Sequence, residues 1–185
     1  MNFNEHYDLA GKHAFLSGSN YHWTNYTTEK LKQVYTNTQA KEEGAILHAF
    51  AEMAIRKRIK LAKLKKAVNL FVNDAIGFGM IPEQVLYYSD NCFGTADAIL
   101  FKNNKLQIHD LKTGISKVSF KQLEVYTAIF CLEYGLDPFG IEVEHRIYQG
   151  NDYQISEPEP EIIRDIMNRI VEFDMIIDNI KHMQR

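Results

Sequence analysis

Gly94-Thr95-Ala96-Asp97-Ala98-Ile99-Leu100-Phe101-Lys102-Asn103-Asn104-Lys105-Leu106-Gln107-Ile108-His109-Asp110-Leu111-Lys112 is the stretch on which the fold turns. Two short strand-like runs, Thr95 to Phe101 and Leu106 to Leu111, flank Asn103-Asn104. Asparagine tolerates positive φ, so this pair suits the tight turn of a two-residue hairpin. If it is the turn, Lys102 opposes Lys105, and counting outward brings Asp97 opposite Asp110 at a non-hydrogen-bonded position. Side chains there share one face, with Cα atoms roughly 4.5 Å apart. Lys112 is expected on that face too, with Ile99, Phe101, Leu106 and Ile108, which makes it the core side. Two opposed carboxylates repel. Either a divalent cation with hard oxygen ligands relieves them, or Lys112 merely neutralises an acidic pair on a surface hairpin.

Outward from the hairpin, the pattern predicts a mixed α/β (α+β) chain in the order α-β-β-β-α-β-α, with a mixed sheet flanked by helices. A helical pattern begins near Glu42 with Ile46, Leu47, Phe50 and Met53, and runs on through Ile59, Leu61 and Leu64 to Phe71. Gly77 to Gly79 ends it. Gln84 to Ser89 reads as the first strand, Val118 to Tyr134 as a helix stopped by Gly135, and Gly140 to Tyr148 as a fourth strand. The alternation over Glu144 to Arg146 suggests that this strand is an edge. A last helix, its apolar side marked by Ile163, Ile166, Ile170, Ile177 and Ile180, follows Ser156. The first forty residues read as extended, with Ser17 or Ser19 placed to cap a short helix. The expected organisation is one domain over 1–185: an N-terminal segment over 1–40, a core over 41–150 and a C-terminal helix over 156–185.

Composition narrows the class. The chain has 185 residues, net charge −3 and 45% hydrophobic residues, ordinary globular values that exclude wholesale disorder. No apolar run reaches the roughly 20 residues of a membrane span, and the first residues lack signal-peptide character. Cys92 and Cys131 make neither a disulfide framework nor a Cys-x-x-Cys site, so a reducing cytoplasm is the expected location.

Taken in order, Gly94-x-x-Asp97, Asp110-x-Lys112 and a helix bearing Gln122-x-x-x-Tyr126 resemble the PD-(D/E)xK nuclease superfamily. With His48 on the preceding helix, the likeness is to its RecB-like, phage-encoded exonuclease branch, and the N-terminal stretch from His13 to Ser19 is similar as well. The resemblance covers about residues 13 to 130. It implies a restriction-endonuclease-like core and a Mg²⁺- or Mn²⁺-dependent deoxyribonuclease that leaves a 5′-phosphate. It further implies His48, Asp97, Asp110 and the Leu111 backbone carbonyl as metal ligands, Lys112 as the catalytic lysine, and Gln122 and Tyr126 beside the substrate phosphate. An imidazole ligand tilts the preference toward Mn²⁺. Two cysteines cannot build the four-cysteine iron–sulfur cluster of many RecB-like nucleases, so none is expected. The implied partners are DNA, a second copy of the chain and a single-strand-annealing or other recombination protein. For a phage-encoded member the compartment would be the host cytoplasm.

Residue by residue, other readings stay open. His48 alone also reads as a packed core histidine, Glu52 as either an outer partner of His48 or a solvated helix residue. Gln122 and Tyr126, four apart, also read as a half-buried helix face. Between Arg56 and Lys66 stand seven basic residues and no acid. Arg56, Arg58, Lys60 and Lys63 are the candidate nucleic-acid contacts, against a solvated face whose stems cover Ile59, Leu61 and Leu64. The alternative function is a binding or regulatory module that keeps the nuclease fold with little or no activity.

Overall fold

The computed structural model describes residues 6–9, 11–115 and 117–183. The chain divides into two compact units, the first ending at Glu43 and the second starting at Gly44. In the first, residues 7–9 and 21–25 form short 3₁₀ turns ahead of a long helix, α1 (Thr28–Arg56), which runs on into the second unit. The helix over 28–40 replaces the extended segment expected there. Nor does either serine cap a helix: Asn20 precedes the 3₁₀ turn of Tyr21–Asn25 and makes no side-chain cap. The Ser17 carbonyl instead accepts the Trp23 indole N–H at 3.0 Å.

The second unit follows with α2 (Ala67–Phe78), β1 (Ile81–Ser89), β2 (Cys92–Lys102), β3 (Lys105–Lys112), α3 (Lys121–Tyr134), β4 (Glu142–Gln149), β5 (Asp152–Ser156) and α4 (Pro160–Met183). The five strands form one sheet in the order β1-β2-β3-β4-β5, antiparallel except for the parallel pair β3–β4. This is the mixed sheet flanked by helices that the pattern predicts, with a strand and a helix more than expected.

The hairpin forms as counted. Asn103 and Asn104 both have positive φ (52° and 62°), and Lys102 pairs with Lys105, Ile99 with Ile108 and Ala98 with His109. Both faces of the sheet are covered, not one. Ile99, Leu106 and Ile108 pack with Leu123 and Ile129 of α3, while Ala98 and Leu111 pack with Ala51, Ala54 and Ile55 of α1 and Phe71 and Val72 of α2. β3 is therefore a central strand, and its buried Gln107, His109 and Asp110 need polar partners rather than solvent.

Three expectations are corrected. The helix expected from Glu42 to Phe71 is two helices separated by a loop over 57–66, so the basic stretch is a connection and not a helix face. Arg58 there takes φ 54°, and the Asn73 side chain grips the loop, accepting the Leu61 N–H at 2.9 Å and donating to the Leu61 carbonyl at 3.1 Å. Asn69 donates to the Ala62 carbonyl at 2.9 Å. The helix itself closes locally, with the Arg58 N–H on the Ile55 carbonyl at 3.0 Å and the Ile59 N–H on the Ala54 carbonyl at 2.9 Å around the left-handed Arg58, and the amide bonds hold the loop that follows. Second, β4 is interior, because β5 takes the edge. Its Glu144 is compensated by Lys105 at 2.8 Å, Gln107 at 3.1 Å and Arg146 at 2.7 Å. Burial works to raise the Glu144 pKa, but those three donors win and hold it down near 2. Third, of the apolar side of α4 only Ile163 is buried; Ile177 and Ile180 are exposed.

Candidate active site

The site forms where the sheet stops being regular. The β2–β3 ladder ends at Ala98 and His109. In a continued ladder the Leu111 N–H would meet the Ala96 carbonyl. It donates instead to Asp97 Oδ2 at 2.8 Å, so a side-chain carboxylate takes the place of a backbone acceptor. Alternation in β2 breaks at the same residue: Ala96 and Ile99, three apart, both pack toward α3, whereas Ala98 packs toward α1 and α2. The β1–β2 register is the same on both sides of Asp97, so the break is local to this residue and its neighbours rather than an inserted residue. The expectation that Asp97 shares a simple face with Ile99 and Phe101 is corrected accordingly.

β1 is irregular at the same level. Pro82 pairs with Ala98 and Gln84 with Ala96, which leaves Glu83 level with Asp97. Glu83 adopts φ 49°, a left-handed conformation that costs a non-glycine residue about 1–2 kcal/mol. His48, Glu83 and Asp97 then offer ligand atoms that all lie within 4.8 Å of one another, the one such group among the described residues. His48 Nδ1 stands 3.4 Å from Asp97 Oδ2. Glu83 was missed by sequence reasoning. No signal marked it, because a register shift between Tyr87 and Ser89 defeats counting back from the β1–β2 turn.

Asp110 lies deeper, 4% exposed. The Lys112 ammonium sits 3.1 Å from its Oδ1 and 3.0 Å from its Oδ2, but only the first contact has hydrogen-bond geometry, and buried Oδ2 lacks a hydrogen bond. Lys112 also donates to Gln122 Oε1 at 2.7 Å, and Gln122 Nε2 donates to the Tyr126 hydroxyl at 2.9 Å. Thus Asp110, Lys112, Gln122 and Tyr126 make one continuous polar chain from β3 to α3. Two glycines permit the close approaches that frame it. A Cβ on Gly94 would come within 2.8 Å of the Tyr126 ring, and one on Gly44 within 2.8 Å of Thr113 Oγ1.

Burial, and after it the nearby Asp110 charge, pushes the Asp97 carboxyl up to about 6. Burial also raises Glu83, against the lowering effect of His48. Carboxylates crowded and desolvated in this way favour a cation among them. Leu111 has its side chain in the core and joins the site through its peptide group. Glu52 does not partner His48; it accepts from Arg56 Nε at 2.8 Å, and Arg56 in turn donates to the Pro82 carbonyl at 3.2 Å, next to Glu83. Beyond Arg56, the basic residues Arg58, Lys60 and Lys63 are exposed on the gripped loop.

His48, Glu83 and Asp97, two carboxylates and one imidazole, make a donor set that suits a hard divalent cation with some tolerance for nitrogen, while Asp110 stands outside that group with both oxygens against the Lys112 ammonium. Among the described residues no helix is long and apolar enough to cross a membrane. Compared with models of known protein families, with curated proteins and with solved structures, the chain matches none.

Proposed function

We propose that the second unit is a metal-dependent DNA phosphodiesterase with a restriction-endonuclease-like core of the PD-(D/E)xK kind, probing its substrate from the basic loop side. The observation that carries this reading is the continuous chain Asp110–Lys112–Gln122–Tyr126, with Asp97, Glu83 and His48 alongside. A surface hairpin that only neutralised its acids would not need a lysine shared with a glutamine on another element.

In this reading Asp97, Asp110, Glu83 and His48 would hold Mg²⁺ or Mn²⁺, with the Leu111 carbonyl as a further donor. The ion, when bound, neutralises phosphate charge and lowers the pKa of water. Lys112 does the positioning chemistry. Held by Asp110 and Gln122, its ammonium presents a remaining N–H to an attacking water or to a phosphate oxygen that gains charge. Tyr126 fixes the Gln122 amide, and Gln122 fixes the lysine rotamer. In-line attack on phosphorus then expels the 3′-oxygen and leaves a 5′-phosphate. The loop over 57–66 offers Arg58, Lys60 and Lys63 to the flanking backbone phosphates.

The test incubates the pure chain with end-labelled linear and closed circular DNA in Mg²⁺, Mn²⁺ or EDTA. Cleavage is expected with metal and not with EDTA, and Lys112→Ala and Asp110→Ala should each lose about 10²–10⁴ in rate. Cleavage unchanged in either variant would overturn the site. Salt-sensitive DNA binding by an inactive wild type would instead assign a binding module on the same fold.

A further inference from the structure

α4 carries a feature that the site does not use. Ile162, Ile166, Arg169, Phe173, Ile176 and Ile180 recur at alternating spacings of four and three, the heptad spacing of a helix that packs lengthwise against another helix. Most of this stripe faces outward: Phe173 is 50% exposed and Ile180 49%. The helix itself is firmly seated by a different face. Asp174 accepts from Ser89 at 2.5 Å and from Asn91 at 2.8 Å, Asp178 accepts from Asn91 at 2.9 Å, and Lys181 donates to Asn91. The apolar stripe is thus held out by polar staples to the β1–β2 turn, not left by fraying. Beside it runs a groove of about 850 Å³, walled on the α3 side by Lys121 and Val125.

We propose that α4 is the pairing element of a twofold-symmetric dimer in which it lies antiparallel to α4 of a second copy. A second copy fits because the stripe complements itself. With the two helices overlapped about their midpoints, Ile162 meets the other copy's Ile180, Ile166 meets Ile176, and Arg169 meets Phe173, so every seam position but Phe173 finds an apolar or aromatic partner and Phe173 takes the Arg169 side chain on its ring. The one charged seam residue, Arg169, already lies over its own Phe173 ring at 5.9 Å. In this register it also falls beside Glu172 of the other copy, a pairing of opposite charges that occurs twice by symmetry. A parallel arrangement would stack Arg169 on itself. Placing a second helix along the groove sets α3 and α4 of each copy into a four-helix layer, which enlarges the contact beyond a bare helix pair.

Sedimentation equilibrium of the full chain between roughly 1 and 50 µM is expected to give twice the 21.5 kDa chain mass. Phe173→Glu should give a monomer with an unchanged circular-dichroism spectrum, since the side chain is exposed. Arg169→Glu and Glu172→Arg should each weaken dimerisation at least about tenfold, and the double swap should restore it. Mixing Ile162→Cys and Ile180→Cys chains, both carrying Cys92→Ser because Cys92 lines the same groove, should under oxidation yield a crosslinked heterodimer, with neither variant crosslinking efficiently alone. A wild type that stays monomeric overturns the proposal, as does a dimer indifferent to Phe173→Glu. A double swap without rescue, or crosslinking of Ile162→Cys to itself, overturns the antiparallel register.

Discussion

Asp97 is the residue on which most of the site's physics converges. It lies just past the end of the β2–β3 ladder, its carboxylate replaces a backbone acceptor for Leu111, and it stands level with Glu83 and beside His48 and Asp110. With its carboxyl raised to about 6, chiefly by burial, it is protonated in mild acid and ionised at neutral pH. A cation competes with that proton. Mn²⁺ affinity followed by calorimetry should therefore be near its plateau at pH 7.5 and fall about tenfold per pH unit once the pH drops below 6. Asp97→Asn, which removes one of the titrating ligands, should make that dependence shallower and lose most of the binding. Affinity that stays flat from pH 7.5 to 5 would remove Asp97 from the ligand set.

At the scale of elements, the loop over 57–66 is the instructive case. Its lysines are displayed by a backbone that Asn69 and Asn73 hold from α2. Lys60→Ala with Lys63→Ala should weaken DNA binding and reduce the slope of log affinity against log salt by about 2, while leaving thermal stability unchanged. A slope identical to wild type would place the phosphates elsewhere. This loop also shows what could be read from sequence. The hairpin register was legible because an Asn-Asn turn allows one pairing, and Asp110 and Lys112 followed from that register, whereas Gln122 and Tyr126 came from the resemblance and not from their spacing. The break after Arg56 was not legible: Ile59, Leu61 and Leu64 continue the helical period, whereas the backbone turns at Arg58, a non-glycine residue in the left-handed conformation, and the Asn73 amide then holds the loop at Leu61. The interior place of β4 was hidden for a similar reason, since Glu144 reads as solvent-facing until Lys105 and Arg146 are seen to pair with it. Glu83 was lost to a single-residue register shift.

For the whole molecule, buried titratable groups set the response to acid. His109 and His145 are fully buried. Burial depresses His109 to about 3, with Arg146 adding to the effect, and burial depresses His145 to about 4. Both pKa values lie below those of the unfolded chain, so between these values and about 6.5 the unfolded state binds more protons. Stability is then full above pH 6.5 and is lost as the pH falls. At pH 5 each histidine costs about 2 kcal/mol relative to pH 7. Asp97 has the opposite sign. Its raised carboxyl destabilises the metal-free fold as the pH rises through about 4 to 6, so acidification to pH 5 returns about 1 kcal/mol. Urea unfolding of the metal-free chain should show a net loss of about 3 kcal/mol between pH 7 and 5. Replacing both histidines with residues that do not titrate should flatten that dependence or reverse it. A loss that persists in full would mean that other groups govern acid unfolding.

The early end of the β2–β3 ladder has a mechanical meaning as well as a chemical one. Beyond Ala98 and His109, β2 stays with β1 and β3 stays with β4, so the sheet is two panels joined by five backbone-paired positions and one side-chain tie, Asp97 to Leu111. The candidate site lies on the parting line between the panels. A ligand that draws the Asp97 carboxylate toward itself would undo that tie, so occupancy of the site and the angle between the panels are set by the same pair of oxygens.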